Sequence, residues 1–439
     1  MKNEMRHFTM FLLSGTWFFL SSFFLAPQPA AQTKECIQSG SCVEQLLENS
    51  PECVRLDSNQ RIGLVYQQVE RIETGYRCEL IYARKERLFV RETIKSFEDR
   101  RLPAIQWGFI YDGDGHSHVF CRFKGRHFHF LRTASGWEER DLTVDLKKAF
   151  PSQETVFFYQ SALTDRKSGL RVLYKAFSKG KSARWAHGTW DGQQWIVRAL
   201  DGFSPQGMEQ VFGIRQDDCG NLHALYSLER NLYYARYEKG EWHEEVVLKR
   251  KNFDTEAAWD ASLSLDSGGV PFAVSTLIQR GSSGSFLFAR PLFHSRVSRG
   301  DWKNVSLAVR SEGYQGTDGD SYTGGFPRLE FDAQGCPHVC FTDIASWHSR
   351  HGNEWTYGAL RYASRQEEGW RCKTVMKQTG QKERKKPLEQ FLHPVMRVSP
   401  DGKSCHFVGV EKVTNSESIF HDPTAPSRFR LIYRTSFPR

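Results

Sequence analysis

Between Ala345 and Tyr357 the chain gathers Trp347, His348, Arg350, His351, Trp355 and Tyr357 into one short insertion. Aromatic faces beside hydrogen-bonding groups suit a sugar ring, which has an apolar face and a polar rim. The same residues also suit a loop that packs on itself. Acid–base chemistry has candidates in Tyr322, Arg328 and His393. A His or Tyr could take the proton alpha to a uronate carboxylate while Arg328 or Arg350 neutralises that carboxylate. The Gly-rich stretch from Gly313 to Gly325 carries Asp318 and Asp320. Alternating oxygen donors can hold Ca²⁺, but the full calcium-loop pattern is absent, so these two are weak metal candidates and no cofactor is expected. No Cys-x-x-Cys pair occurs, which removes the usual structural zinc site. His118, His223 and His338 each stand six residues after an aspartate, Asp112, Asp217 and Asp332. Recurrence at equivalent places implies a shared structural hydrogen bond rather than three catalytic residues. His116, His127 and His129 cluster in one repeat, where zinc would still need a further ligand in reach.

The elements that must position these residues repeat. An apolar strand runs into an Asp-x-x-Gly turn and a second strand follows. A Leu-x-Tyr-Ala third strand then leads through Gly-x-Trp into a fourth. The turn recurs near Asp57, Asp112, Asp165, Asp217, Asp266, Asp332 and Asp401, at spacings of 49 to 69 residues. Such a period with four short strands marks a β-propeller blade, because one blade cannot bury its own faces and stacking in a ring does so. The chain therefore reads as all-β: a seven-bladed β-propeller of four-stranded antiparallel blades, with six blades as the alternative. Trp137, Trp195, Trp242, Trp302 and Trp370 open the fourth strands and read as wedges between blades. The last repeat ends without its fourth strand, so an N-terminal strand at Ser41 to Leu47 is expected to complete it. Helical spacing at Val43 to Glu48 competes with that reading.

Strand connectivity puts the Asp turns on one face and the long insertions of repeats five to seven on the other, and loops on a rigid scaffold carry recognition. That long-loop face is where a site is expected, with Arg328 and His393 near its centre. The basic start at Lys2 and Arg6, the apolar run Met10 to Ala26 and the small residues ending at Ala31 read as an export signal, with an uncleaved membrane anchor as the alternative. The division is residues 1–31 for that segment, 32–51 for a closing strand and 52–439 for the propeller. A secreted, periplasmic or cell-surface chain with ten cysteines is expected to hold disulfides, Cys36 with Cys42 being a local candidate. The net charge of +9 favours an anionic partner, such as an acidic glycan or cell-envelope component, and no recognition helix points to nucleic acid.

The unit Asp332-Ala-Gln-Gly335-Cys-Pro-His338-Val, then Leu360-Arg-Tyr-Ala363, then Gly369-Trp370 resembles repeats of the sialidase-like (BNR-repeat-like) propeller superfamily. The likeness implies the propeller over nearly the whole mature chain. Its Ser-x-Asp-x-Gly-x-Thr-Trp box is missing, and no arginine triad is assignable. Two functions follow: binding of a glycan or protein through the long-loop face, or cleavage of acidic polysaccharide as a lyase or hydrolase.

Overall fold

The turns set the frame. Asp112 Oδ1 accepts the backbone N–H groups of Asp114 and His116 at 3.0 and 2.8 Å, and Gly115 closes the turn at φ +84°. A side-chain oxygen standing in for a backbone acceptor, followed by a residue in the left-handed region, is what Asp and Gly supply at low cost. The same pattern holds at Asp217, Asp266 and Asp332. In the last repeat Ser399 takes the role of the aspartate, its Oγ accepting the Ser404 N–H at 2.9 Å.

The computed structural model describes residues 34–40, 54–57, 59, 61–100, 105–150, 155–165, 169–177, 184–200, 210–250, 255–256, 260–280, 287–307, 319–348, 354–379, 388–414 and 427–436. Their strands lie in one compact unit, Gln32–Arg439. Apart from the two-residue strand Thr255–Glu256, which pairs with Pro271–Arg280, they divide into seven sets of four antiparallel strands, termed modules 1 to 7. Module 1 is Val54–Leu56, Ile62–Ile72, Gly75–Lys85 and Phe89–Asp99. Module 2 is Gln106–Tyr111, Ser117–Phe123, Arg126–Thr133 and Gly136–Asp141. Module 3 is Val156–Asp165, Gly169–Phe177, Arg184–Trp190 and Trp195–Leu200. Module 4 is Gln210–Gln216, Leu222–Leu228, Asn231–Glu238 and Glu241–Leu248. Module 5 is Ala261–Leu265, Pro271–Arg280, Leu287–Ser298 and Asp301–Ser306. Module 6 is Gly319–Phe331, Pro337–His348, Glu354–Gln366 and Gly369–Thr379. Module 7 is Leu388–Val398, Cys405–Thr414 and Ser427–Ser436, with Lys34–Gly40 as its outer strand. Modules 5 and 6 share one sheet through a short parallel pairing of Phe288 and Ala289 with Ser321 and Tyr322. Each first strand touches the first strand of the next module, and that of module 7 touches that of module 1.

One expectation changes. The N-terminal strand that completes the last sheet is Lys34–Gly40, upstream of the expected Ser41 to Leu47. It pairs antiparallel from Lys34 opposite Arg434 to Gly40 opposite Phe429, with a register shift between Cys36 and Gln38, and the helical alternative falls on residues outside the described ones. Among the described residues, Cys78, Cys121, Cys219, Cys336, Cys340 and Cys405 are free thiols. Four of them are buried within the sheets rather than exposed for cross-linking, and the Cys36–Cys42 pairing lies outside the described side chains. A short helix unmarked in the repeat, Thr143–Ala149, links modules 2 and 3 and buries Leu146 against Phe150 and Phe157.

The fourth-strand tryptophans wedge between modules. Trp137 meets Tyr82 of module 1 at 5.5 Å, Trp195 meets His129 of module 2 at 5.2 Å, Trp302 meets Tyr234 of module 4 at 5.4 Å, and Trp370 meets Phe293 of module 5 at 4.7 Å. Each buried indole contributes roughly 4–6 kcal/mol of gross apolar burial, so these wedges hold neighbouring sheets at a fixed spacing.

Candidate functional site: an arginine-lined cavity among the first strands

Along a strand, alternate residues share a face, so residues two before each turn stand at equivalent places on the first strands. In four modules those residues are charged: Arg55, Arg215, Glu330 and Arg397. They line one cavity of about 260 Å³ together with Ile110, Ala162 and Gln216. Arg55 Nη1 donates to the carbonyl of Val54 at 3.2 Å, Arg215 to that of Ile214 at 2.8 Å, and Arg397 to that of Met396 at 2.9 Å. Each guanidinium is thus folded back on its own strand in the same way. Arg397 also pairs with Glu330. Among the described lining residues three guanidinium groups stand against one carboxylate, which gives this cavity an excess of positive charge.

Arg328 lies two residues before Glu330 on the same strand. Its Nη1 donates to Pro327 at 2.8 Å and sits 3.8 Å from Asp260, just before the first strand of module 5. The Arg328 Nε is buried with no partner among the described residues. Burial pushes the Asp260 carboxyl above its usual range, and the Arg328 charge only partly offsets this. Arg328 is not part of this lining; it stands two residues along the strand from Glu330, which is.

The other candidates are placed by backbone alone. His393 lies in the first strand of module 7 at a register irregularity between Leu392 and Val395. Tyr322 lies in the first strand of module 6, opposite Ile344. Trp347 stands directly across from Trp355, His348 from Glu354, and Ala345 from Tyr357. Most of the expected aromatic loop is therefore a lengthened hairpin, as its aromatic-rich flanks favour strand. Asp320 is likewise in strand, opposite Ser346, whereas Asp318, Arg350 and His351 lie outside the described residues.

The repeated histidines are structural, as their spacing implied. His223 bonds Asp217 through Nε2 at 3.2 Å and the Tyr234 hydroxyl through Nδ1 at 2.6 Å. His338 does the same with Asp332 and Tyr362 at 3.2 and 2.5 Å. In module 2 the tyrosine position is His129, so His118 bridges Asp112 and His129, and Trp195 Nε1 donates to His129. Burial holds His129 well below the ordinary histidine range, which keeps it neutral in this chain of bonds.

Reading the sequence for motifs missed Arg55, Arg215, Glu330 and Arg397. Their signal was available: each precedes its turn residue by two. It carries meaning only once the first strands are known to converge.

No family model matches the chain, and no curated protein does. Among solved structures, it is similar to polysaccharide lyase Uly1 (TM-score 0.45, 8% identity, covering 89% of this chain and 90% of that one). It is similar to AofleA from Arthrobotrys oligospora (TM-score 0.40, 10% identity, 78% and 90% covered). It is also similar to a Penicillium chrysogenum alpha-L-arabinanase bound to arabinobiose (TM-score 0.37, 10% identity, 74% and 92% covered). Likeness at this level carries no functional information, and function rests on this chain's own residues.

Proposed function

We propose that this chain is an exported, seven-bladed β-propeller that binds an anionic glycan. One observation carries the reading: Arg55, Arg215 and Arg397 meet from three modules in one cavity, with Glu330 as the acid among its described lining residues. Guanidinium groups match carboxylates and sulfates in charge and in two-point hydrogen bonding. Seven strand sets, with first-strand contacts running from module to module and back to the start, support seven blades over six. Residues 1–31 act as export signal or anchor, residues 32–51 supply the closing strand, and residues 52–439 form the propeller. The Trp347–Trp355 hairpin, with His348, Arg350, His351 and Tyr357, is proposed as an outer contact for sugar rings on the opposite face.

The test is calorimetric titration with a uronate or sulfated oligosaccharide and with its neutral counterpart. The acidic ligand binds, its affinity falls as salt rises, and Arg215→Gln weakens it by about tenfold to a hundredfold. Equal affinity for both ligands, or for Arg215→Gln and the parent, defeats the proposal.

A second reading, cleavage of acidic polysaccharide, is favoured by the Arg328–Asp260 pair, where a carboxyl whose proton affinity is raised by burial stands 3.8 Å from a cation. Such an enzyme would release unsaturated uronates or new reducing ends. That release would disappear in Asp260→Asn while the fold and the binding at Arg215 remain.

A further inference from the structure

We infer that a second, charge-balanced pocket at the turn end of modules 1 to 3 binds a neutral saccharide unit. It is distinct from the arginine-lined cavity and takes a different ligand class. The pocket has a volume of about 540 Å³ and is walled by Arg84, Arg132, Tyr111, Asp112, His116 and Trp190, among others. That volume falls within the roughly 300–1,000 Å³ of small-molecule sites.

A departure from the repeat shapes it. Where module 4 has His223 and module 6 has His338, module 1 has Gly63. Tyr111 of module 2 fills the vacated space, and its hydroxyl meets the Tyr82 hydroxyl at 3.0 Å. Ser117 Oγ approaches the same Tyr82 hydroxyl. A cluster of hydroxyl groups thus lines one wall, while Trp190 closes another with the Arg140 guanidinium 4.5 Å from its ring centre.

The arginines here are already paired and His116 is already hydrogen-bonded. Arg61 pairs with Asp57 at 2.8 Å, Arg84 with Glu86 at 2.6 Å, and His116 Nδ1 with Asp112 at 3.0 Å. Arg132 is held by Glu92 through two bonds at 2.8 and 2.7 Å. An incoming anion would have to displace Glu86 or Glu92 from its arginine. A polyhydroxylated neutral ligand need not, because each hydroxyl both donates and accepts and can bond to the outer edges of paired ions. One donor still lacks an acceptor: Arg84 Nε is buried with no partner among the described residues. Burying such a group costs about 1–3 kcal/mol until something accepts from it. Asp112, Asp114 and His116 also approach one another within 4.8 Å on the rim. Asp112 is committed there, since its Oδ1 takes two backbone N–H groups and its Oδ2 meets His116 and His118.

The experiment is ligand-observed NMR, followed by calorimetry, on the full mature chain with a panel of neutral hexose, pentose and deoxyhexose mono- and disaccharides. At least one binds, with an affinity that stays level between low and high salt. His116→Ala and Arg84→Ala each weaken it by about tenfold or more, while Arg215→Gln leaves it unchanged. Tyr111→Phe, which keeps the packing, weakens it by a smaller factor and guards against variants that fail through misfolding. No binding across the panel, binding indifferent to both His116→Ala and Arg84→Ala, or binding abolished by a chelator would each overturn the inference. Failure here leaves acidic-ligand binding at Arg215 intact, and the reverse also holds.

Discussion

Replacing Gly63 with alanine puts a methyl group where the Tyr111 hydroxyl sits. The new Cβ would overlap that hydroxyl and lie 3.1 Å from Tyr111 Cζ and 3.2 Å from Phe109 Cε1. Carbon contacts are comfortable at about 3.5–4.0 Å, so Tyr111 must move. It cannot move far, because its hydroxyl meets that of Tyr82 at 3.0 Å and its ring packs edge-on to Phe109 with centroids 4.9 Å apart. Overpacking costs about 1–3 kcal/mol and the disturbed hydrogen bond about 1 kcal/mol more. Alanine recovers about 0.5 kcal/mol by restricting the unfolded chain. Gly63→Ala should therefore destabilise the fold by about 2–3 kcal/mol, seen as a drop of several degrees in thermal midpoint by calorimetry. The double variant Gly63→Ala/Tyr111→Phe removes the overlapping oxygen and should recover more than half of the loss, a coupling that only residues in contact display. An unchanged midpoint for the single variant, or strictly additive losses in the double, would refute the packing argument.

Stability should also depend on acid. Burial holds His127 and His294 at about 4, against 6.5 for a free histidine. The unfolded chain therefore binds more protons than the folded one between those values, and stability rises with pH from about 4 to about 6.5 and then levels off. The slope is about 1.4 kcal/mol per pH unit for each histidine, and His294→Gln should flatten it in chemical denaturation followed across that range. The cysteines give a separate check. Without reductant, a thiol reagent should titrate Cys219 and Cys336 in the native chain and at least six thiols after unfolding. Fewer than six on unfolding would place disulfides where the fold has free thiols. Burial pushes the Cys78 thiol up to about 12, so it should stay unreactive until the sheets open.

Much of the fold was legible because each repeat carries its own local instructions. Asp112 and Gly115 make their turn whatever surrounds them, and the spacing from Asp217 to His223 implied the hydrogen bond that the two residues form. The closing strand was misplaced because Ser41 to Leu47 was chosen for its place just before the first inner strand, whereas the pairing with Ser427–Ser436 falls to Lys34–Gly40. The aromatic insertion of module 6 read as a loop because it departed from the repeat length, whereas its strands simply run on to Trp347 and Trp355. The sites were less legible still. Arg328 was singled out, but Arg55, Arg215 and Arg397 looked like ordinary strand arginines until their modules were brought together.

By itself, the sequence determined what depends on neighbours along the chain: turns, strand alternation, the four-strand repeat and the indole that opens the fourth strand in modules 2 to 6. Tertiary structure alone decided what depends on distance across modules. Gly63 is unremarkable until Tyr111 arrives from the next sheet, and an arginine two residues before a turn becomes part of a site only where several such strands converge. Backbone propensity acts over a few residues, whereas the field in a cavity sums charges brought from hundreds of residues apart.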